Sequence, residues 1–502
     1  MQRQFLTRVL REPQVWAVVA AFALLVLPIL AAQHLNIVDG PGHVARLAVL
    51  QDALLNGRAS PFYEVTSFFL PNIAYDVIGL GLVRFTDPET ATRIFLAVTL
   101  VLTLSGVMVL NRVVIGRWSI VPLAAAFLVT NLVVVQGFLN YAFGLALVPW
   151  ALALRLKLER APLGFVAGAG AGIVLLFCHL FAFGVYAAMA CGLAIAAWRG
   201  RAIEPPRLAL RLLEFVPALV LVMLMPHDPS RNLHYDPSFL VGKLTGIVKS
   251  ISSGSLAGDI AFLIGMAACA AMLLFARVKF AHPLIPGLIL LAVLYLVLPS
   301  ELGHGSYVDK RMPIAIGMFL IAAVDARIRW AAVPMALAGL VALALAAKEG
   351  ALAMLWHRVD PEINSAVTAL DMLPPGAVIF RAECRPAENM LGIYRAHQPA
   401  ITHLAALATL EGTRFAAGTW AIAGQQPIAV RPAYQPAYDL QTGIAWSVCG
   451  EQPLRRTAAR IHALTDGHPH FLFVIRPTAP RSPEPDAVLV ANGEGFELYR
   501  VN

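Results

Sequence analysis

Long apolar runs separated by short polar connections fill the first 350 positions of the chain. Eleven runs stand out, at roughly 14–33, 94–110, 119–136, 141–156, 162–178, 181–198, 210–226, 259–276, 283–299, 312–326 and 330–348. Each approaches the length of about 20 residues that a helix needs to cross a bilayer core. The runs at 162–178 and 181–198 are short and nearly continuous, so one long tilted helix competes with two. The stretch 66–84 is apolar but carries Asn72 and Asp76, and it reads as a half-buried helix outside the membrane. From about 351 the pattern changes: Pro, Gly, Asp and Gln become more frequent and no run is long enough to span. There, 360–373 reads as a helix, PPGAVIFRA as a turn into a strand, and HFLFVIRP and AVLVANGEGFELYR as further strands, the last a hairpin. The prediction is a mainly α, polytopic membrane bundle over 1–350, with about 11 transmembrane helices and a long first outer loop at 34–92. A small α/β domain follows outside the membrane, over 351–502.

Composition agrees. The chain is 59% hydrophobic and only 14% charged, with a mean hydropathy of +0.71, which excludes an ordinary soluble protein. Its net charge of +8 would suit nucleic acid, but the basic residues occupy alternate connections, from Arg3, Arg8 and Arg11 through Arg112 and Arg117 to Arg327 and Arg329. That is the positive-inside pattern. It predicts a cytoplasmic amino terminus, an extracytoplasmic carboxyl-terminal domain and no nucleic-acid partner. The first run also resembles a signal peptide, with a basic start and small residues at Ala31 and Ala32; with ten runs behind it, an uncleaved anchor is expected. The address expected is the bacterial inner (cytoplasmic) membrane.

Chemistry then concentrates on the predicted outer side. The runs themselves hold almost no ionisable groups, which ion-coupled transporters need at mid-membrane. The outer loops hold NIVDGPGHVAR at 36–46, QGFLNY at 136–141, Cys178-His179, PHDPSRNLHYDP from Pro226 and SELGHGSYVDKR from Ser300. In the first, Gly40-Pro41-Gly42 turns the chain after Asp39, and His43 and Arg46 share a face of the helix that follows. Ala45, Leu47, Leu50, Leu54 and Leu55 give that helix an apolar side suited to the membrane interface. Taken by itself, the stretch is a capped interfacial helix, with Arg46 meeting a lipid phosphate.

A short cytoplasmic start, one helix and a long outer loop opening with an acid and an interfacial helix resembles the GT-C superfamily of membrane glycosyltransferases. The D-x-x-x-H-x-x-R pattern of DGPGHVAR also resembles related bacterial membrane proteins of unassigned function. The resemblance implies a sugar donor linked to a polyprenyl phosphate, an envelope lipid, glycan or protein acceptor, and surrounding membrane lipids. By position it gives Asp39 the role of catalytic base or metal-associated carboxylate. The chain lacks the adjacent acidic pair of many such enzymes, so a divalent cation, Mg or Mn, is left open. Such chemistry needs a base for the acceptor hydroxyl and cations for the leaving phosphate. Arg311 with Lys310 and His304, or Arg231 with His227 and His234, would supply the cations, because a guanidinium matches phosphate oxygens as a fork. Arg311 is favoured, since HGSYVDKR runs straight into a membrane helix. Asp236, Glu301 and Asp309 would add acids near Asp39. His43, Arg46, Asn140, Tyr141 and His179 complete the expected binding site, and Asp39, His43 and at least one of the two arginines should border a single cavity roofed by the carboxyl-terminal domain.

Other signals are structural. Gly164, Gly168 and Gly172 recur every four residues and read as a helix-packing face. Cys384 and Cys449 would be able to pair in an oxidising compartment, while Cys178, Cys191 and Cys269 read as small apolar residues. A competing function is a non-catalytic transporter or assembly factor for envelope lipid or polysaccharide, and a third is transfer of a non-sugar group from a lipid.

Overall fold

The computed structural model describes residues 13–158, 163–226, 232–236, 238–303, 305–383, 399–422, 424–444, 451–475 and 487–501. Cys384 and Cys449, His227, Arg231 and His304 lie outside them, and with them the open question of a disulfide and the alternative phosphate arginine.

The protein is a mainly helical, multi-pass membrane bundle with a smaller sheet-containing region. Among the described residues, six helices are long and apolar enough to cross a membrane: Gln14–Ala31, Pro88–Ile115, Leu139–Lys157, Leu180–Arg199, Leu256–Leu273 and Ala332–Asp371. That is fewer than the eleven runs suggest. The run at 119–136 folds as a 3-10 turn, Val121–Leu128, followed by the single turn Leu132–Val135. The run at 210–226 divides into Pro205–Leu213 and Val216–Leu224. Prolines explain both: Pro122 and Pro217 stand in the first turns of new segments, where a missing N–H costs nothing. The two nearly continuous runs are two helices, Leu163–Cys178 and Leu180–Arg199, divided at His179, whose Nδ1 accepts from the N–H of Phe181 at 3.0 Å.

The final membrane helix departs most from expectation. Ala332–Asp371 runs for 40 residues, through the composition change at 350 and through Pro361. At the change, Lys348 and Glu349 are fully buried and ion-paired at 2.9 Å, with Thr130 donating to the Glu349 carboxylate at 2.7 Å. The polar residues mark where the helix leaves the apolar bundle, and the backbone continues because its next turns are packed too. Val359, Ile363 and Ala366 cover one face of the sheet. Asp360 accepts the N–H groups of Gln33 and His34 at 2.8 and 2.9 Å, tying this helix to the end of the first one.

The five-stranded sheet has the order Ala487–Asn492, Phe496–Val501, His470–Ile475, Val378–Glu383, Phe415–Ala416. The two predicted strands and the hairpin form as expected, and Val378–Glu383 pairs parallel with His470–Ile475. On its other face the sheet packs against Val49, Leu50, Phe62 and Tyr63 of the first loop. Strand Tyr63–Val65 of that loop pairs antiparallel with Ile428–Val430. The loop after the first helix and the carboxyl-terminal region therefore share one core at one end of the bundle. The site lies there.

Candidate active site

The helix Gly40–Leu54 begins where NIVDGPGHVAR turns. Asp39 sits at its N-cap position but makes no capping bond with its side chain, so the carboxylate is free for another use. The turn is pinned from behind. Val38 and Asp39 donate backbone N–H bonds to Val135 and Gln136 at 2.9 and 3.1 Å. Gly137, at φ +76°, must be glycine: a Cβ there would lie 2.9 Å from the Asp39 nitrogen. Its carbonyl accepts from His43 Nε2 at 3.0 Å, and His43 Nδ1 accepts from Arg46 at 2.9 Å, which fixes a neutral ring with the proton on Nε2. Burial first, and the Arg46 charge second, hold His43 well below the usual histidine range.

Asp39 and Arg311 face one cavity of about 610 Å³, bordered also by His43, Asn140, Tyr141 and His179. Burial raises the Asp39 carboxyl from 3.8 to about 7, although Arg311, Arg46 and Arg381 each pull it down. Arg311 is itself 6% exposed and pushed down to about 10 by burial. It donates to the Ser306 carbonyl at 3.0 Å and stands 4.2 Å from the Phe138 ring centre, with Tyr141 at 5.5 Å and Phe181 at 5.6 Å. Its Nη1 is 3.2 Å from His179 Nε2, and its Nε has no hydrogen-bond partner among the described residues. No carboxylate of the described residues comes within 4.0 Å of it, Asp39 included. A buried guanidinium in an aromatic cage without a counter-ion is costly unless an anion completes it.

The 3-10 turn Asp309–Arg311 that presents this group is held by a second buried pair, Lys243 to Asp309 at 2.8 Å, with Lys243 also donating to the Leu298 carbonyl at 2.6 Å. Tyr141 donates to the Arg311 carbonyl at 3.0 Å.

Several expected residues have other work. Arg46 is not at the cavity wall or at a lipid phosphate: it is 2% exposed and paired with the fully buried Asp76, Nε to Oδ1 at 2.6 Å. The stretch 66–84 is helical only over Ala74–Leu82, and Asp76 lies on the covered side. Asn140 does border the cavity, yet both ends of its amide are used, accepting from Tyr75 N–H at 2.7 Å and donating to the Asn72 carbonyl at 2.8 Å. His234 is exposed on a short strand, Leu233–His234, and is not among the lining residues; it stands opposite Glu301. Lys310 turns to Asp236 at 3.7 Å and the Tyr307 ring at 5.2 Å. Asp309 is taken by Lys243, so neither it, Asp236 nor Glu301 adds an acid beside Asp39.

The carboxyl-terminal region contributes what sequence reasoning missed. His403 Nε2 lies 3.7 Å from Asp39 Oδ1, and its Nδ1 accepts from Arg381 at 3.0 Å, so the Nε2 proton faces the carboxylate. Arg381 and Trp420 line the cavity beside Asp39, and His403 stands behind them. The only available signal was that Arg381 fell within the predicted strand of PPGAVIFRA, which does not say which way it turns. The surroundings of Asp39 do not fit a divalent cation: among the described residues no three His, Cys, Asp or Glu side chains converge, and the carboxylate's charged neighbours are arginines.

The whole chain has likenesses among solved structures. ArnT from Cupriavidus metallidurans, in the apo state, is 13% identical over 97% of either chain with a TM-score of 0.49. The same protein bound to undecaprenyl phosphate aligns over 97% of this chain and 98% of that one, with 13% identity and a TM-score of 0.46. The mycobacterial arabinofuranosyltransferase AftD is 17% identical with a TM-score of 0.46, over 97% of this chain, which spans 40% of AftD's length. No family model and no curated protein sequence matches the chain.

Proposed function

We propose that the protein is a membrane glycosyltransferase that moves a sugar from a polyprenyl-phosphate carrier to an envelope acceptor, at the extracytoplasmic end of the bundle. One observation carries this reading: a buried carboxyl and a buried arginine that has no counter-ion among the described residues border the same cavity without pairing with each other. An acid with its midpoint near 7 suits a general base at neutral pH. Asp39 takes the proton of the acceptor hydroxyl as that oxygen bonds to the sugar's anomeric carbon. The bond from that carbon to the carrier phosphate breaks, and the oxygen that leaves keeps the electron pair. Its charge is met by Arg311, whose aromatic cage excludes water and strengthens the attraction. His403 stands against the Asp39 carboxyl, Nε2 3.7 Å from Oδ1. The apolar residues Val222, Met225 and Leu302 on the cavity wall suit the first units of a prenyl chain. The inner-membrane address, with the carboxyl-terminal region outside, follows from the alternation of basic connections.

The test is transfer of labelled sugar in membranes carrying the wild type or Asp39→Asn. A loss of about 10²–10⁴-fold is expected for removal of a general base. Undiminished transfer by the variant would exclude Asp39 as base, and binding of the carrier lipid without any turnover in the wild type would favour the non-catalytic carrier function.

A further inference from the structure

The cavity has two unlike halves. One surrounds Arg311 with aromatic and aliphatic side chains from the membrane bundle. The other is contributed by the carboxyl-terminal region and holds an indole, Trp420, a phenol, Tyr438, and the side chains of Gln425 and Gln426, while Gln441 beside them spends both ends of its amide on the Arg381 backbone. Gln426 is 5% exposed, and its Oε1 accepts no hydrogen bond among the described residues. A buried amide oxygen left without a donor costs free energy that a ligand's hydroxyl would recover. Trp420, in contrast, is 42% exposed although it borders the cavity. Its ring meets His403 edge-on with centres 5.4 Å apart, and His403 is the residue that reaches Asp39. The indole therefore stands one residue away from the base.

These features select a kind of ligand. Amides both donate and accept, which matches hydroxyl groups that do the same. An indole covers the apolar C–H face of a sugar ring while leaving its hydroxyls free. Arg381, the arginine on this side, already donates to the Thr402 carbonyl at 2.6 Å and to His403 at 3.0 Å, and Glu383 stands on the same wall, so the half offers no net positive charge to an anionic acceptor. We propose that this half is the acceptor subsite and that the acceptor is an uncharged carbohydrate, stacked on Trp420 and hydrogen-bonded by Gln426. The proposal rests on the transferase reading above and narrows its acceptor to a neutral glycan.

The experiment uses the full chain in lipid nanodiscs, free of glycoside detergents and without any donor. Saturation-transfer NMR is recorded with a panel of neutral hexose and pentose disaccharides and with a uronic-acid disaccharide as the charged control. At least one neutral disaccharide should receive saturation in preference to the charged one. Trp420→Ala should weaken that binding about tenfold, Trp420→Phe should restore part of it, and Gln426→Leu should weaken it in a protein with an unchanged melting temperature. No response from any neutral disaccharide, preference for the uronic acid, or binding unchanged in both Trp420→Ala and Gln426→Leu overturns the subsite. Failure of the two readings is separable. Sugar binding together with full turnover by Asp39→Asn would remove the proposed base and leave the subsite standing. Loss of turnover in Asp39→Asn without any sugar binding would do the reverse.

Discussion

Two arginines buried to nearly the same degree, Arg46 at 2% exposure and Arg311 at 6%, both act on the charge of Asp39 and solve the problem of burial differently. Arg46 has a carboxylate of its own, Asp76, and spends a second donor on His43. Arg311 has carbonyl and aromatic neighbours and no carboxylate within 4.0 Å among the described residues. The first arrangement is complete and locks the helix Gly40–Leu54 to Ala74–Leu82. Among the described residues, the second is incomplete by one negative charge. Burial alone therefore does not distinguish a structural cation from a binding one; the presence of a counter-ion does.

The contrast is broken most severely from the Arg46 side. Arg46→Met leaves Asp76 buried and unpaired, and should cost about 3–5 kcal/mol, read as a lower denaturation midpoint. Adding Asp76→Leu should recover most of that loss, because no orphaned charge then remains. A pair that behaves additively would mean that the two charges are not coupled in the folded protein.

Arg311→Met should do the opposite. Stability should hold or rise, since a desolvated cation is replaced by an apolar chain inside an aromatic cage. Binding of undecaprenyl phosphate should weaken by about 10- to 150-fold, the equivalent of roughly 1.5–3 kcal/mol for a charged hydrogen bond. Unchanged binding in equilibrium titration would remove the arginine from the phosphate site.

The smallest effect is on the pH profile. Sugar transfer by the wild type should rise as pH passes through about 7 and Asp39 loses its proton. Arg311 is the largest charge holding that carboxyl down, so Arg311→Met should move the midpoint of the residual activity upward. Stability carries the matching sign. Because the folded Asp39 sits above its ordinary 3.8, the native state binds the extra proton between about 4 and 7, and the contribution of this group to stability falls as pH rises across that window. Asp39→Asn should flatten both trends.

What the sequence by itself determined is what local periodicity and composition encode. The apolar runs place the bundle, and Asp39 and His43 are near one another because they stand four positions apart, about one helical turn. The strand pattern of HFLFVIRP and the final hairpin is equally local. Tertiary structure decided everything that depends on a partner far along the chain. Nothing in DGPGHVAR says that Arg46 will find Asp76, 30 residues away, rather than a lipid phosphate. Nothing near Arg311 says that Lys243 will take Asp309 and leave the arginine alone. The composition change at 350 is legible, but the helix runs through it, because continuation depends on packing against the sheet and on Asp360 capping the end of the first helix. Arg381, His403 and Trp420 reach Asp39 only because the carboxyl-terminal strands pair with the loop that follows the first helix. Period and propensity act over a few residues, whereas a counter-ion is chosen by whichever side chains the fold brings within a few ångströms.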